Sequence, residues 1–205
     1  MAKDKRLHGF RDSYYQDHSR KIVLGADGNP HVEYVYEGIY YTLDGSDRRW
    51  RLGKLLHLAL TTGAAAVLLS VMLTETPGNH RTDITLLQVI CLFLFFGAGI
   101  GVFNRLTAPR HMTRWEYRMG VATVRECSAL LLLCLGALLA DELVSAALGR
   151  LVFDQTSALV CLKTALCLLL VFAQYRLVKK ERYSEHASDD LPHGIDITND
   201  FEAMP

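Results

Sequence analysis

The stretch Ile84–Asn104, ITLLQVICLFLFFGAGIGVFN, contains no charged side chain. A helix that crosses ~30 Å of hydrocarbon needs roughly 20 mostly apolar residues. A helix of a water-soluble domain would place a polar residue in every turn, and Leu86–Gly101 has almost none. Ile84–Asn104 therefore reads as a membrane span. Three further stretches match it: Leu55–Thr74, Glu126–Ala146 and Gln155–Tyr175. The expected fold is an all-α membrane protein with four transmembrane helices arranged as two antiparallel hairpins.

Composition is consistent with this once position is considered. Hydrophobic residues make up 50% of the 205-residue chain, yet the formal net charge is zero and the mean hydropathy is only +0.14. The charges are segregated into two tails and one loop. Three domains follow: a cytoplasmic N-terminal segment 1–47, a transmembrane domain 48–178 and an acidic, disordered tail 179–205. The first 47 residues are polar and lack the apolar core of a cleavable signal, so the first span is expected to act as its own insertion signal.

Charge also sets the expected topology. Arg48, Arg49, Arg51 and Lys54 precede the first span. Arg105, Arg110, Arg114 and Arg118 lie between the second and third, and Arg176, Lys179, Lys180 and Arg182 follow the fourth. The other two connections carry one basic residue each, Arg81 and Arg150. Basic residues in short loops stay on the cytoplasmic side, which puts both termini in the cytoplasm. The plasma membrane is the expected location.

Outside the spans, Lys21–Leu43 reads as a small β-meander, with residues 1–19 loose before it. Ile22-Val23-Leu24 gives a first strand, and Asp27-Gly28 is a hairpin-favouring pair. Val32, Tyr34 and Tyr36 alternate with Glu33, Val35 and Glu37, and a third strand follows over Ile39–Leu43. An isolated hairpin is marginal in water, so this segment needs a surface or a partner. Six of the nine tyrosines fall in the first 41 residues. Tyrosine suits interfaces because it joins an apolar body to a polar tip, and Tyr34, Tyr36, Tyr40 and Tyr41 are the docking candidates. Ordinary β-propensity on a small sheet is the commoner reason for such tyrosines.

Thr113-Arg114-Trp115-Glu116 fits a capping box, in which the threonine hydroxyl and the glutamate satisfy each other's backbone N–H groups. Arg110, Arg114 and Arg118 share one face of the following turns, and Trp115 lies on another. Two readings stand. One is an amphipathic helix in the headgroup layer, its arginines meeting anionic lipid. The other is the projecting start of a long third span. After the fourth span, Glu181, Glu185, Asp189 and the acids beyond show no apolar periodicity, so the tail is expected to be disordered.

Ionisable groups at membrane depth are functional candidates. Asp141 and Glu142 interrupt the third span, and Lys163 the fourth. Counting outward from a turn near Val152 puts Lys163 level with Asp141. At ~1.5 Å per residue it lies about 12 Å inside the span, within reach of the outer interface. A salt bridge clasping the two spans is the expected arrangement. An ion relay is the alternative, although few polar groups continue towards the other side. In the first two spans, Gly97 and Gly101 match Ala59 and Gly63 in depth, predicting close backbone contact between those helices. His57 and Asn104 are level enough for a hydrogen bond.

Cys91, Cys127, Cys134, Cys161 and Cys167 all lie in or beside spans and include no Cys-x-x-Cys pair, so neither disulfides nor a metal site is expected. No nucleophile elbow, zinc-protease or phosphate-loop motif is present. No enzymatic activity, cofactor or nucleic acid is expected. The expected partners are the lipid bilayer and a protein partner or a second copy of the chain. The function that follows is a non-enzymatic subunit, adaptor or scaffold of a membrane assembly. The alternative is a small oligomeric transporter or channel using Asp141, Glu142 and Lys163.

Overall fold

A computed structural model describes residues 18–24, 30–76, 79, 81–148 and 154–187. Within them the chain divides into two compact units. One comprises the described parts of 1–44, 109–117 and 183–205, and the other comprises 45–108 and 118–182.

Four long helices dominate the chain: α1 (Asp47–Met72), α2 (Thr82–Thr107), α3 (Arg114–Ala147) and α4 (Gln155–Lys180), all in the larger unit except the first turn of α3, Arg114–Tyr117. Each is long and apolar enough to cross a membrane. At 26 residues, α1, α2 and α4 run ~39 Å at ~1.5 Å per residue. They overrun the expected spans because their ends carry charged turns. Ser46 caps α1 by accepting from Arg49 N at 3.4 Å, and Asp154 caps α4 by accepting from Ser157 N at 2.8 Å. The turn Arg114–Tyr117 runs through a π-helical segment, Arg118–Ala122, into Thr123–Ala147 as one 34-residue helix.

The helices form a ring in which α1 packs on α2 and α4, and α3 packs on the same two. Each buries a narrow stripe: Ala64 and Leu68 of α1, Cys91 and Phe95 of α2, Leu131 and Leu135 of α3, Cys167 and Val171 of α4. The outward faces are as apolar as the core. Phe93 is 73% exposed, Leu133 71% and Leu162 67%. A bundle in water would not leave such a surface uncovered, whereas helices facing lipid do so without cost. The four helices are compatible with a multi-pass membrane protein.

The glycine contacts differ from the sequence expectation. A Cβ on Gly101 would lie 2.8 Å from Val124 Cγ2 and 3.1 Å from Gly120 O, and one on Gly97 would lie 3.1 Å from Cys127 Sγ. Both glycines thus face α3. Gly63 looks towards Leu170 of α4, Ala59 is exposed, and Gly99 meets nothing within 4 Å. The small residues bring α2 against α3 and do not join α1 to α2. Matched depth fixes height along a helix but leaves the direction around its axis undetermined.

The smaller unit holds two sheets where one meander was expected. β1 (His18–Leu24) and β2 (Pro30–Tyr36) form an antiparallel hairpin, in register from Leu24↔Pro30 to His18↔Tyr36. β1 therefore begins within the segment expected to be loose. Asp27-Gly28, Tyr14 and Tyr15 lie outside the described residues. β3 (Ile39–Leu43) does not extend the hairpin. It is the central strand of a second sheet, with β4 (His111–Thr113) on one side and β5 (Tyr183–Ala187) on the other, both antiparallel. β5 corrects the expectation of disorder directly after α4; residues 188–205 lie outside the described residues.

Candidate functional site

In the smaller unit, β3 organises a tyrosine-rich surface. Tyr40 is 5% exposed and packs edge-on against Tyr36, with ring centroids 5.0 Å apart. The Tyr36 hydroxyl donates to Ile39 O at 3.0 Å and accepts from Arg114 N at 3.1 Å, so it ties the start of β3 to the turn after β4. Alternation along β3 sends Tyr41 to the opposite face. There it stacks on Tyr117 at 4.4 Å, and Tyr117 meets Tyr183 edge-on at 5.1 Å. Three tyrosines from three distant segments thus form one half-buried cluster. Thr42 Oγ1 and His111 Nδ1 are hydrogen-bonded at 2.9 Å, and Ser184 donates to Asp44.

The capping box is present: Thr113 N donates to Glu116 Oε2 at 2.7 Å, and Glu116 N to Thr113 Oγ1 at 3.3 Å. Burial, then the neighbouring Tyr36 and Glu116, push the Tyr40 hydroxyl above its ordinary range. Burial and Glu185 do the same to Tyr41. Burial, then Arg110 and His186, hold His111 below the usual histidine range. Of the docking candidates, Tyr36, Tyr40 and Tyr41 come together here, and the side chain of Tyr34 lies outside the described residues. Arg110, Arg114 and Trp115 belong to this unit, with Arg114 exposed, whereas exposed Arg118 belongs to the helical unit.

In the helical unit, two polar clusters occupy opposite ends of the ring. At the end carrying the start of α1, Glu181 turns inward. Its Oε1 accepts from Arg105 Nη2 at 2.5 Å and lies 3.3 Å from His57 Nε2. Burial disfavours the Glu181 carboxylate, but the bonds to His57 and Arg105, with the attraction of the guanidinium, outweigh it and hold the carboxyl below its ordinary range. Lys54 donates to Leu106 O at 2.9 Å and Ala108 O at 2.8 Å, a cation on the carbonyls that end α2. Deeper in, Thr61 donates to His57 O at 2.9 Å and accepts from Gln174 Nε2 at 2.7 Å. Among the described residues, His57 Nδ1 and Arg105 Nη1 are buried without a hydrogen-bond partner.

The sequence did not lead to this cluster. Arg105 looked like a loop cation, Glu181 like a tail acid, and His57 was matched with Asn104, which instead donates to Met119 O at 3.5 Å. One signal was available. Lys54, His57 and Thr61 fall at helical spacing on the stripe that continues through Ala64 and Leu68, so α1's buried face carries polar groups at this end.

At the other end, the expected clasp of Asp141 or Glu142 with Lys163 is absent. Asp141 accepts from Arg81 at 2.9 Å, and Arg81 also holds Asp83 and Ser145 Oγ. Lys163 donates to Thr74 Oγ1 at 3.2 Å. The Glu142 carboxyl lies beside the Cys161 thiol, and among the described residues its Oε2 is buried without a hydrogen-bond partner. Equal depth again failed to specify direction: Asp141 faces the start of α2, whereas Lys163 faces the end of α1. Nearby, Asn79 donates to Val71 O and Thr74 O and accepts from Gln88, closing the α1–α2 turn.

An apolar groove of about 580 Å³ runs between α1 and α2, with Gly99 between Phe96 and Phe103 along one wall and Thr62 and Ala65 on the other. Among the described residues no group of three or more histidine, cysteine or acidic side chains is arranged to hold a metal, and all five cysteines are free. Compared with known protein families, with curated proteins and with solved structures, the chain matches none.

Proposed function

We propose that this protein is a membrane-anchored, non-enzymatic adaptor or scaffold whose three-stranded sheet is the docking element. One observation carries the reading. β3, β4 and β5 come from before α1, between α2 and α3, and after α4, and they converge on one surface faced by the Tyr41–Tyr117–Tyr183 cluster. If the four helices span the membrane, strands that pair must lie on one side of it. The distribution of arginine and lysine favours the cytoplasmic side.

Among the described residues the outer strands pair in this sheet with β3 alone, and the outer side of a sheet is the kind of edge to which an extended segment of a partner can add. Aromatic residues beside such an edge supply contact area at low entropic cost. The transporter alternative draws on Glu142, whose Oε2 is buried and has no hydrogen-bond partner among the described residues. Asp141 and Lys163 are already engaged elsewhere, and that favours the adaptor.

The test is gentle detergent purification from native membranes, comparing the wild type with Tyr41→Ala/Tyr117→Ala. The adaptor reading expects a stoichiometric protein partner that the variant loses while its helical content is retained. Recovery of the wild type as a homo-oligomer alone would overturn it.

A further inference from the structure

The two outer strands of the β4-β3-β5 sheet do not offer a partner the same backbone. Along an antiparallel strand, a residue's N–H and C=O point together to one side, and those of the next residue to the other. Thr113 N donates to Glu116 Oε2 at 2.7 Å, so the Thr113 N–H turns away from Tyr40, its partner in register. Met112↔Tyr41 is then the pair that exchanges the β3–β4 hydrogen bonds. Arg114 N, next in the chain, donates to the Tyr36 hydroxyl at 3.1 Å, and α3 begins there. The capping box has thus taken an outward donor of β4, a strand of only 3 residues.

The same alternation decides what β5 presents. Tyr41 spends its N–H and C=O on β4, so Tyr40 and Thr42 turn theirs to β5, where they meet His186 and Ser184. His186 and Ser184 are thereby spent on β3, and the N–H and C=O of Glu185 and Ala187 point outward. Among the described residues no strand pairs with that side of β5. Glu185 and Ala187 are both exposed.

Side chains say which segment fits. Glu185 lies opposite Tyr41, on the face of the Tyr41–Tyr117–Tyr183 cluster. Among the described residues it enters no ion pair. Directly opposed residues of neighbouring strands share a face, where opposite charges attract and like charges repel. A second copy of β5, paired antiparallel about the same residue, would set Glu185 against Glu185. The chain's own continuation, 188–205, has no lysine or arginine to offer. A segment of another protein with a cation at that place meets neither objection. We propose that the partner is an extended, basic segment that adds to the outer edge of β5. Its lysine or arginine stands opposite Glu185, with apolar residues two positions to either side. The proposal deepens the adaptor reading and rests on it.

Amide hydrogen exchange on the full-length chain in detergent tests the edge without any variant. The amides of Ser184 and His186 should be protected, and those of Glu185 and Ala187 should exchange fast. Protection of all four with no partner present would mean that residues 1–17 or a second copy already cover the edge, and the proposal would fall. The probe for the partner is a library of short peptides displayed on phage and panned against the same protein. Enriched peptides should carry a lysine or arginine flanked at alternate positions by β-branched or aromatic residues. Adding one should slow exchange at Glu185 and Ala187. Ala187→Pro removes an outward N–H and spares the ladder to β3. It should weaken peptide binding several-fold while Ser184 and His186 stay protected. Glu185→Lys should turn the selection towards acidic peptides. No enrichment, or binding untouched by Ala187→Pro, would overturn the proposal. A native partner recovered equally by the wild type and Ala187→Pro would refute this edge and leave the adaptor reading standing.

Discussion

Glu181 Oε1 sits 2.5 Å from Arg105 Nη2, joining the last turn of α2 to the residue that ends α4. Both side chains are nearly excluded from solvent, at 4% and 11% exposure. Removing one partner of such a pair leaves a buried charge without compensation, at a cost of about 3 kcal/mol or more. Arg105→Met should therefore lower the thermal midpoint in detergent sharply. Arg105→Met with Glu181→Leu should recover much of the loss, because neither charge then remains. Additive losses in the two single variants and the double variant would show that the pair is not coupled.

The same carboxyl predicts a pH dependence. An unfolded glutamate titrates near ~4.3, and the folded Glu181 carboxyl is held below its ordinary range. As pH falls, the unfolded state takes up the proton first. The stability contributed by Glu181 is therefore complete above ~4.3 and is lost as pH drops through the folded value. Thermal midpoints measured on the acid side of neutrality should decline more steeply for the wild type than for Glu181→Gln. Parallel profiles would assign the decline to other groups.

Gly101→Ala should destabilise the bundle by about 1–3 kcal/mol, because the new methyl would meet Val124 Cγ2 at 2.8 Å and the Gly120 carbonyl at 3.1 Å. The carbonyl belongs to the backbone and cannot rotate away. Gly99→Ala, two residues earlier and facing open space, should be near neutral. Thermal unfolding of the two variants side by side is the measurement, and the reverse ranking would place the close approach elsewhere.

Asp141 should couple to Arg81 and not to Lys163. Both members of the Arg81–Asp141 pair are about one-third exposed, so solvent screens them and a small but measurable coupling is expected. A double-mutant cycle on Asp141→Asn and Arg81→Gln should reveal it. The cycle with Lys163→Met should be additive within ~0.5 kcal/mol. A larger coupling to Lys163 would restore the clasp expected from the hairpin count.

Local features were legible in the sequence. The four apolar stretches identify themselves because length and composition alone mark a helix as long and apolar enough to cross a membrane. The capping box at Thr113 and Glu116 is complete within four residues. Features that depend on direction around a helix axis were not legible: Asp141 and Lys163 share a depth but face different neighbours, and Gly97 and Gly101 turn to α3. Relations between distant segments were also hidden. Tyr183–Ala187 reads as part of an acidic tail until β3 supplies its partner, and Glu181 reads as a solvated acid until Arg105 and His57 surround it.

The strand order β4-β3-β5 has a consequence for biosynthesis. β3 emerges from the ribosome before any of the long helices, acquires its first neighbour after two of them, and its second only after the fourth. The central strand therefore waits with open edges through most of translation, and the sheet closes last. A chain interrupted anywhere before residue 183 leaves β3 with one neighbour at most in this sheet, so a β3 paired on both sides marks a chain whose helices have all been made.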